Sequence, residues 1–325
     1  MVKRQSFFII LAAVCCLVFP ACSINRMVIR AVSNALTAEG SSYVFTSDSD
    51  PQLVGDALPF AIKMYESLLA ANPNHQGLLF TTGSLFVMYA NAFVQAPAEQ
   101  LPRWMFAERQ AGRERAKRLY MRGLELLYRG LELRHPGFDS AFQRGVLPEI
   151  LARMRKEDVP SLYWAAVAGL SAFSVDLSDT RLSMRISEFY ALINRAYQLD
   201  PYFNSGALDN FLLIFYASLP PDMGGNAARA EIHFRRALEK SRGLLAVPFV
   251  SYARTVSIPA QDYDTFRAYL EAALAIDPDA DPPNRLMNIL AQREARFLLG
   301  SASQFFFGIG TDDAWYYDYW DYEDW

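Results

Sequence analysis

One spacing recurs along the chain and restricts what it can fold into. A residue at position n is followed by apolar or aromatic residues at n+4 and n+7, then by proline at n+12. Ala61, Tyr65, Leu68 and Pro73 fit it, as do Leu124, Tyr128, Leu131 and Pro136. Phe189, Ile193, Ala196 and Pro201 repeat it, and so do Phe266, Leu270, Ala273 and Pro278. Ala230, Phe234 and Ala237 form a further copy without the proline. The first three positions share one helix face and can pack into a neighbouring helix. Proline cannot continue the helix and opens the turn into the next unit. Apolar residues elsewhere also recur at three and four, with little strand-like alternation. The spacing therefore predicts an all-α chain built from repeated helix pairs.

These copies resemble the second helix of the tetratricopeptide repeat. First helices are predicted over 78–93, 161–175, 208–218 and 245–256, with an opening helix over 26–37. Gly83 and Phe86 fall at the repeat's glycine and aromatic positions, and Tyr163, Trp164 and Gly169 play similar parts. In the first half the copies lie further apart than the usual repeat of about 34 residues. The extra length is assigned to loops over 40–52 and 96–103 and to an added helix over 138–155. Residues 285–300 read as a terminal capping helix. The expected architecture is a tetratricopeptide-repeat-like α-superhelix of degenerate pairs over 22–300, preceded by a signal segment over 1–21 and followed by a tail over 301–325.

The first residues read as an address. Lys3 and Arg4 precede an apolar stretch from Phe7 to Phe19, which is too short to span a bilayer but suits a signal peptide. Phe19-Pro20-Ala21-Cys22 resembles a lipobox, although Phe19 and Pro20 replace its usual aliphatic and small residues. A plain cleaved signal peptide or an uncleaved anchor is the competing reading. Lipidation at Cys22 would hold the protein at a membrane, since acyl chains contribute about 0.8 kcal/mol per buried methylene. The cysteines are Cys15, Cys16 and Cys22. Cleavage before Cys22 leaves one, so no intramolecular disulfide or cysteine metal site is expected.

Little in the sequence suggests catalysis. The net charge is -4 and the basic residues are scattered, without the stripe that nucleic acid binding requires. His75, His135 and His233 lack metal-ligand spacing; the first two fall at helix ends, where capping is expected, and the third lies on a repeat helix. Asp277, Asp279 and Asp281 alternate like a calcium loop but lack its glycine, with Asn288 where the bidentate glutamate should stand, so they read as a turn. Ser47 to Asp50 reads as a loop and helix cap. No serine-histidine-aspartate arrangement or phosphate loop is evident, and no metal or cofactor is implied. Counting from the prolines assigns Phe80, Ser84 and Val87, then Leu208, Leu212 and Phe215, then Phe249, Ala253 and Val256, to the concave face. Arg285, Ile289, Gln292 and Arg296 would line its far end. Such a surface suits a hydrophobic ligand carrying one polar or acidic group; a shifted register would make these ordinary core positions. The tail from Phe305 to Trp325 mixes acids with tyrosine and tryptophan, residues that anchor interfaces.

The run Leu219-Pro220-Pro221-Asp222-Met223-Gly224-Gly225 leads into Ala230, His233, Phe234 and Ala237. Tyr252-Ala253-Arg254, Gln261-Asp262-Tyr263, Phe266, Arg285-Leu286-Met287-Asn288 and Ala291-Gln292 follow it. This series resembles the TRAP-transporter-associated tetratricopeptide lipoproteins of the TatT type, most clearly from Leu219 to Leu299. The resemblance implies a periplasmic, lipid-anchored accessory subunit that forms a homotrimer and associates with an extracytoplasmic solute-binding protein. It also implies a small hydrophobic or organic-acid ligand passing through a cleft or pore. Arg254, Asn288 and Gln292 match the family's pattern, without individual roles. Two other classes stay open: an envelope-assembly adaptor that binds proteins or peptides, and an enzyme carried on a helical solenoid.

Overall fold

The computed structural model describes residues 29–38, 40 and 43–309. The signal segment, Cys22 and the tail beyond 309 lie outside them. Among the described residues the chain is all-helical, with no strand.

An opening helix α1 spans 29–36, and α2 spans Pro51–Ala71. Helix α3 runs Gln76–Ala90 and continues through a π turn at Asn91–Gln95 into Ala96–Gln100. Its partner α4 is Phe106–Arg134, and the short α5 is Leu147–Arg153. Then come α6 (Val159–Ser174), α7 (Ile186–Leu199), α8 (Ala207–Ser218) and α9 (Ala227–Lys240). Helix α10 joins Val247–Tyr252, a second π turn at Ala253–Ser257 and Ile258–Ala260. Helices α11 (Tyr263–Leu274) and α12 (Arg285–Gly300) complete the order.

Local chemistry sets the boundaries. Asp50 caps α2 by accepting from the backbone N–H of Gln52 and Leu53, with Pro51 in the first helical position. The Nδ1 of His75 accepts from the Leu78 N–H at the start of α3. Asn226 and Asp262 cap α9 and α11 in the same way. Leu219 to Gly225 is the turn that delivers Asn226: Gly224 has a φ of 103°, and a Cβ on Gly225 would lie 1.7 Å from the Leu219 carbonyl oxygen.

The recurring positions form the core. Ala61, Tyr65, Leu124, Tyr128, Leu131, Phe189, Ile193, Ala196, Ala230, Phe234, Ala237, Phe266, Leu270 and Ala273 are all buried. Consecutive helices meet closely where glycine permits. A Cβ on Gly123 of α4 would lie 2.8 Å from the Gly83 carbonyl oxygen of α3, and one on Gly169 of α6 would lie 2.3 Å from the Phe189 ring of α7. Helix α3, Gln76–Gln100, is long and apolar enough to cross a membrane, but half of that apolar stretch is buried inside the fold.

Three expectations need correction. Residues 138–155 do not form one helix: only Leu147–Arg153 is helical, because Pro136 and Gly137 open a series of turns. The segment 96–103 is helical as far as Gln100, since the π turn carries α3 onward. Finally, the folded part extends past Gly300. Phe306 is buried against Phe266 and Tyr263, with ring centroids 4.8 and 5.3 Å away.

The last helix returns to the first pair. Leu286 of α12 is buried in the cluster of Val54, Leu58, Ala61, Ile62 and Tyr65 from α2. An Arg285 Nη1 donates to the Ser47 carbonyl at 2.8 Å, and an Arg103 Nη2 donates to the Gln304 carbonyl at 3.1 Å. The helical succession is thus closed along a seam between its two ends.

Candidate functional site

Three of the first helices, α3, α6 and α10, pack one face on a partner and leave aromatic side chains half-buried beside it. These include Phe80 and Tyr89 on α3, Tyr163 and Trp164 on α6, and Phe249 and Tyr252 on α10. Helices α3 and α10 also carry the two π turns, a helix irregularity that re-aims the side chains within and after it and gathers at functional sites.

Arg254 sits in the second π turn and bridges to the other elements. Its guanidinium donates to Glu294 of α12 at 2.6 Å and pairs with Glu99 at the end of α3. The other Glu99 oxygen accepts from Gln95 Nε2 at 2.8 Å, and Gln95 Oε1 accepts from the Tyr120 hydroxyl of α4 at 2.6 Å. This polar chain connects α4, α3, α10 and α12 across the seam. Burial opposes the charge on Arg254, but the carboxylates of Glu294 and Glu99 outweigh it and raise its pKa. Burial pushes the Tyr120 hydroxyl up as well, so it stays a neutral donor. The Arg254 guanidinium and the Tyr120 hydroxyl both hold their protons firmly near neutral pH. The arrangement suits binding of a carboxylate more than proton transfer.

The residues expected on the concave face divide. Phe80, Ser84 and Phe249 are half-buried and partly accessible, and Arg296 is exposed. Leu208, Leu212 and Phe215 are instead core residues, 0, 2 and 6% exposed, so they pack and do not line an open groove. Between the ends of α8 the accessible positions are Asn210 and Ile214, each two residues away from Leu212. One residue turns a helix by about 100°, so that offset exchanges its two faces. Val87 and Ala253 are buried as well. Asn288 is fully buried and braces the start of α10, accepting from the Ala246 N–H and donating to the Leu244 carbonyl, both at 2.9 Å. Gln292 is also buried, and its amide donates to the carbonyls at the end of α11, reaching Ile276 at 2.6 Å. Arg285 pairs with Asp279 at 2.6 Å besides its bond to Ser47.

Among the acids and histidines, Asp277 accepts from the Asp279 N–H within a turn, and the described residues contain no cluster able to hold a metal ion. The sequence marks His233 only as a residue on a repeat helix. Its Nδ1 lies 2.8 Å from the buried Asp209, which also takes Lys240 at 2.5 Å and the Tyr197 hydroxyl at 3.2 Å. The His233 ring stacks on Tyr216 and meets Tyr197 edge-on. Enclosed this way, the cluster fastens α7, α8 and α9 together. Its partners are 12 to 31 residues apart in sequence, so no local pattern announces it.

Comparison with known proteins places this geometry. The family model described as TRAP transporter T-component matches residues 47–306. An uncharacterized protein of Treponema pallidum (strain Nichols) is 34% identical over 306 residues, covering 90% of this chain and 95% of that protein.

Proposed function

Because this chain belongs to the TRAP transporter T-component family, we propose that it is the periplasmic, lipid-anchored accessory subunit of such a transporter. Its helix pairs form a tetratricopeptide-type superhelix closed by α12. It docks the extracytoplasmic solute-binding protein, works as a homotrimer, and offers a small ligand the half-buried aromatic belt of its first helices. Anchoring through Cys22 raises the effective concentration of protein and partner at the membrane, so a modest affinity suffices.

One observation carries the ligand part of this reading: Arg254, two residues beyond Tyr252 on α10, is held between two carboxylates and partly open to solvent. A ligand with an apolar body and an acidic end would lie along the aromatics and exchange its carboxylate for Glu99 or Glu294 on the guanidinium. The seam would loosen as it did so, coupling ligand entry to opening. The polar clusters around Asp209 and Glu188 are buried and engaged instead in holding helices together.

Sedimentation velocity on residues 23–325, alone and mixed with the solute-binding protein of the same organism's TRAP transporter, tests the reading. A discrete trimer that gains mass with the partner is expected. A monomer that ignores the partner would overturn both the docking and the assembly.

A further inference from the structure

The segment between α4 and α6 is longer than a helix pair needs, and it builds a cavity of about 410 Å³. Arg134, His135, Arg153, Arg155, Glu157 and Asp158 line it. This volume falls in the range of small-molecule pockets, which run from roughly 300 to 1,000 Å³. The cavity belongs neither to the aromatic belt nor to the seam.

Its backbone is arranged to present cations. Met154 and Arg155 are extended, with φ and ψ of −71° and 150°, and −122° and 179°. Alternation along such a stretch buries Met154 and turns Arg153 and Arg155 outward. Arg195 of α7 locks the stretch by donating to the carbonyls of Ala152 and Met154, at 3.2 and 2.8 Å. The floor is already neutralised. Asp158 is buried and accepts from Arg134 at 2.9 Å and from the Arg155 N–H at 2.9 Å. These bonds, with His135 beside it, hold its carboxyl below the usual range against the effect of burial.

The remaining charge is unbalanced. Among the described residues Arg153 and Arg155 have no ion-pair partner, and the exposed Glu157 is the remaining carboxylate at the cavity. His135 Nε2 is enclosed 3.1 Å from Asp158 but without a well-formed hydrogen bond. Two exposed guanidiniums carried on a held backbone, over a neutralised floor, match a compact oxyanion, because planar arginine forks pair with phosphate and carboxylate in two bonds at once.

We infer that this cavity is an anion site for a phosphate-bearing ligand, held chiefly by Arg153 and Arg155. Inorganic phosphate supplies the shared chemistry, and a lipid headgroup or a free phosphoester are its two sources.

Isothermal titration of the detergent-solubilised full chain with inorganic phosphate is the test, beside the Arg153→Ala/Arg155→Ala variant. Both side chains are exposed and unpaired, so this variant should fold; its thermal midpoint serves as the check. Saturable binding is expected, weakened at least about tenfold in the variant, or about 1.4 kcal/mol, and weakened by added salt. Vesicles containing phosphatidic acid identify the source. Arginine-dependent flotation of residues 23–325 assigns a headgroup, and phosphate binding without flotation assigns a soluble phosphoester. No saturable phosphate binding by the unaltered chain, or equal binding by a folded double variant, would overturn the inference. If the variant loses its fold, Arg153→Lys/Arg155→Lys replaces it: charge kept without the fork should weaken binding, and unchanged binding would count against the site.

Discussion

The interfaces between consecutive helices and the seam between the two ends are built differently. Consecutive helices meet through repeated apolar positions and glycine. Gly83 lies on Gly123, Gly169 lies under Phe189, and Phe234 packs edge-on and tilted among Phe249, Tyr252 and Tyr269. The seam has a small apolar patch around Leu286 and otherwise relies on single polar residues: Arg254, Arg285 and Arg103. Dry, close-packed contacts carry stability and change little. Ion pairs reached by water contribute about 0–1 kcal/mol each and can be exchanged. The contrast assigns stability to the succession of helices and movement to the seam.

Substitutions can break or sharpen this contrast. Phe189→Ala should have the largest effect, about 3–5 kcal/mol in urea unfolding, because it leaves a cavity in the α6–α7 interface. A loss below about 1 kcal/mol would show that this interface is not the rigid one. Gly169→Ala comes next, at about 1–3 kcal/mol, since the new methyl must displace the buried Phe189 ring. Its circular dichroism should stay helical while its melting temperature falls.

Arg254→Ala sits on the other side of the contrast. With its side chain 45% exposed, it should change the free energy of urea unfolding by no more than about 1 kcal/mol. Hydrogen exchange in α3 and α12 should nevertheless rise, and exchange limited to the α10 turn would count against the seam's role.

Acid has the smallest expected effect. Asp176 is hydrogen-bonded by Lys117 and by Ser178, which lowers its carboxyl from 3.8 to about 2. A depressed carboxyl stabilises the fold above its unfolded value, and that contribution is lost as pH falls through the folded one. Contact between α4 and the turn after α6 should weaken between roughly pH 4 and pH 2, and Lys117→Met should reduce this pH dependence, leaving the part due to Ser178. An acid titration followed by tryptophan fluorescence reads both.

The sequence made the consecutive interfaces legible because they repeat. Five copies of one spacing expose the buried face, and Gly83 and Gly169 mark the close approaches. The helix boundaries at Asp50 and His75 were also readable, since capping is local. The accessible face of the first helices was harder to place. Both faces of α8 are apolar, so counting from a proline put Leu208 and Leu212 where Asn210 and Ile214 stand. The seam was not legible at all. Arg254 meets Glu99 across 155 residues, and Arg285 meets Ser47 across 238, with one residue on each side and no period to reveal them. Asn288 and Gln292 stood out in sequence but serve as buried braces, because an amide can satisfy backbone groups at a helix end as readily as a ligand.

The seam's closure is tested most directly by the distance across it. Spin labels at Ala57→Cys on α2 and Arg296→Cys on α12, in residues 23–325 with Cys22 removed, report it by double electron–electron resonance. The account predicts a single narrow distance, broadening when Arg254→Ala is added. A broad distribution in the chain with Arg254 intact would show that the ends are not joined, and would contradict the closed arrangement on which the proposed ligand path depends.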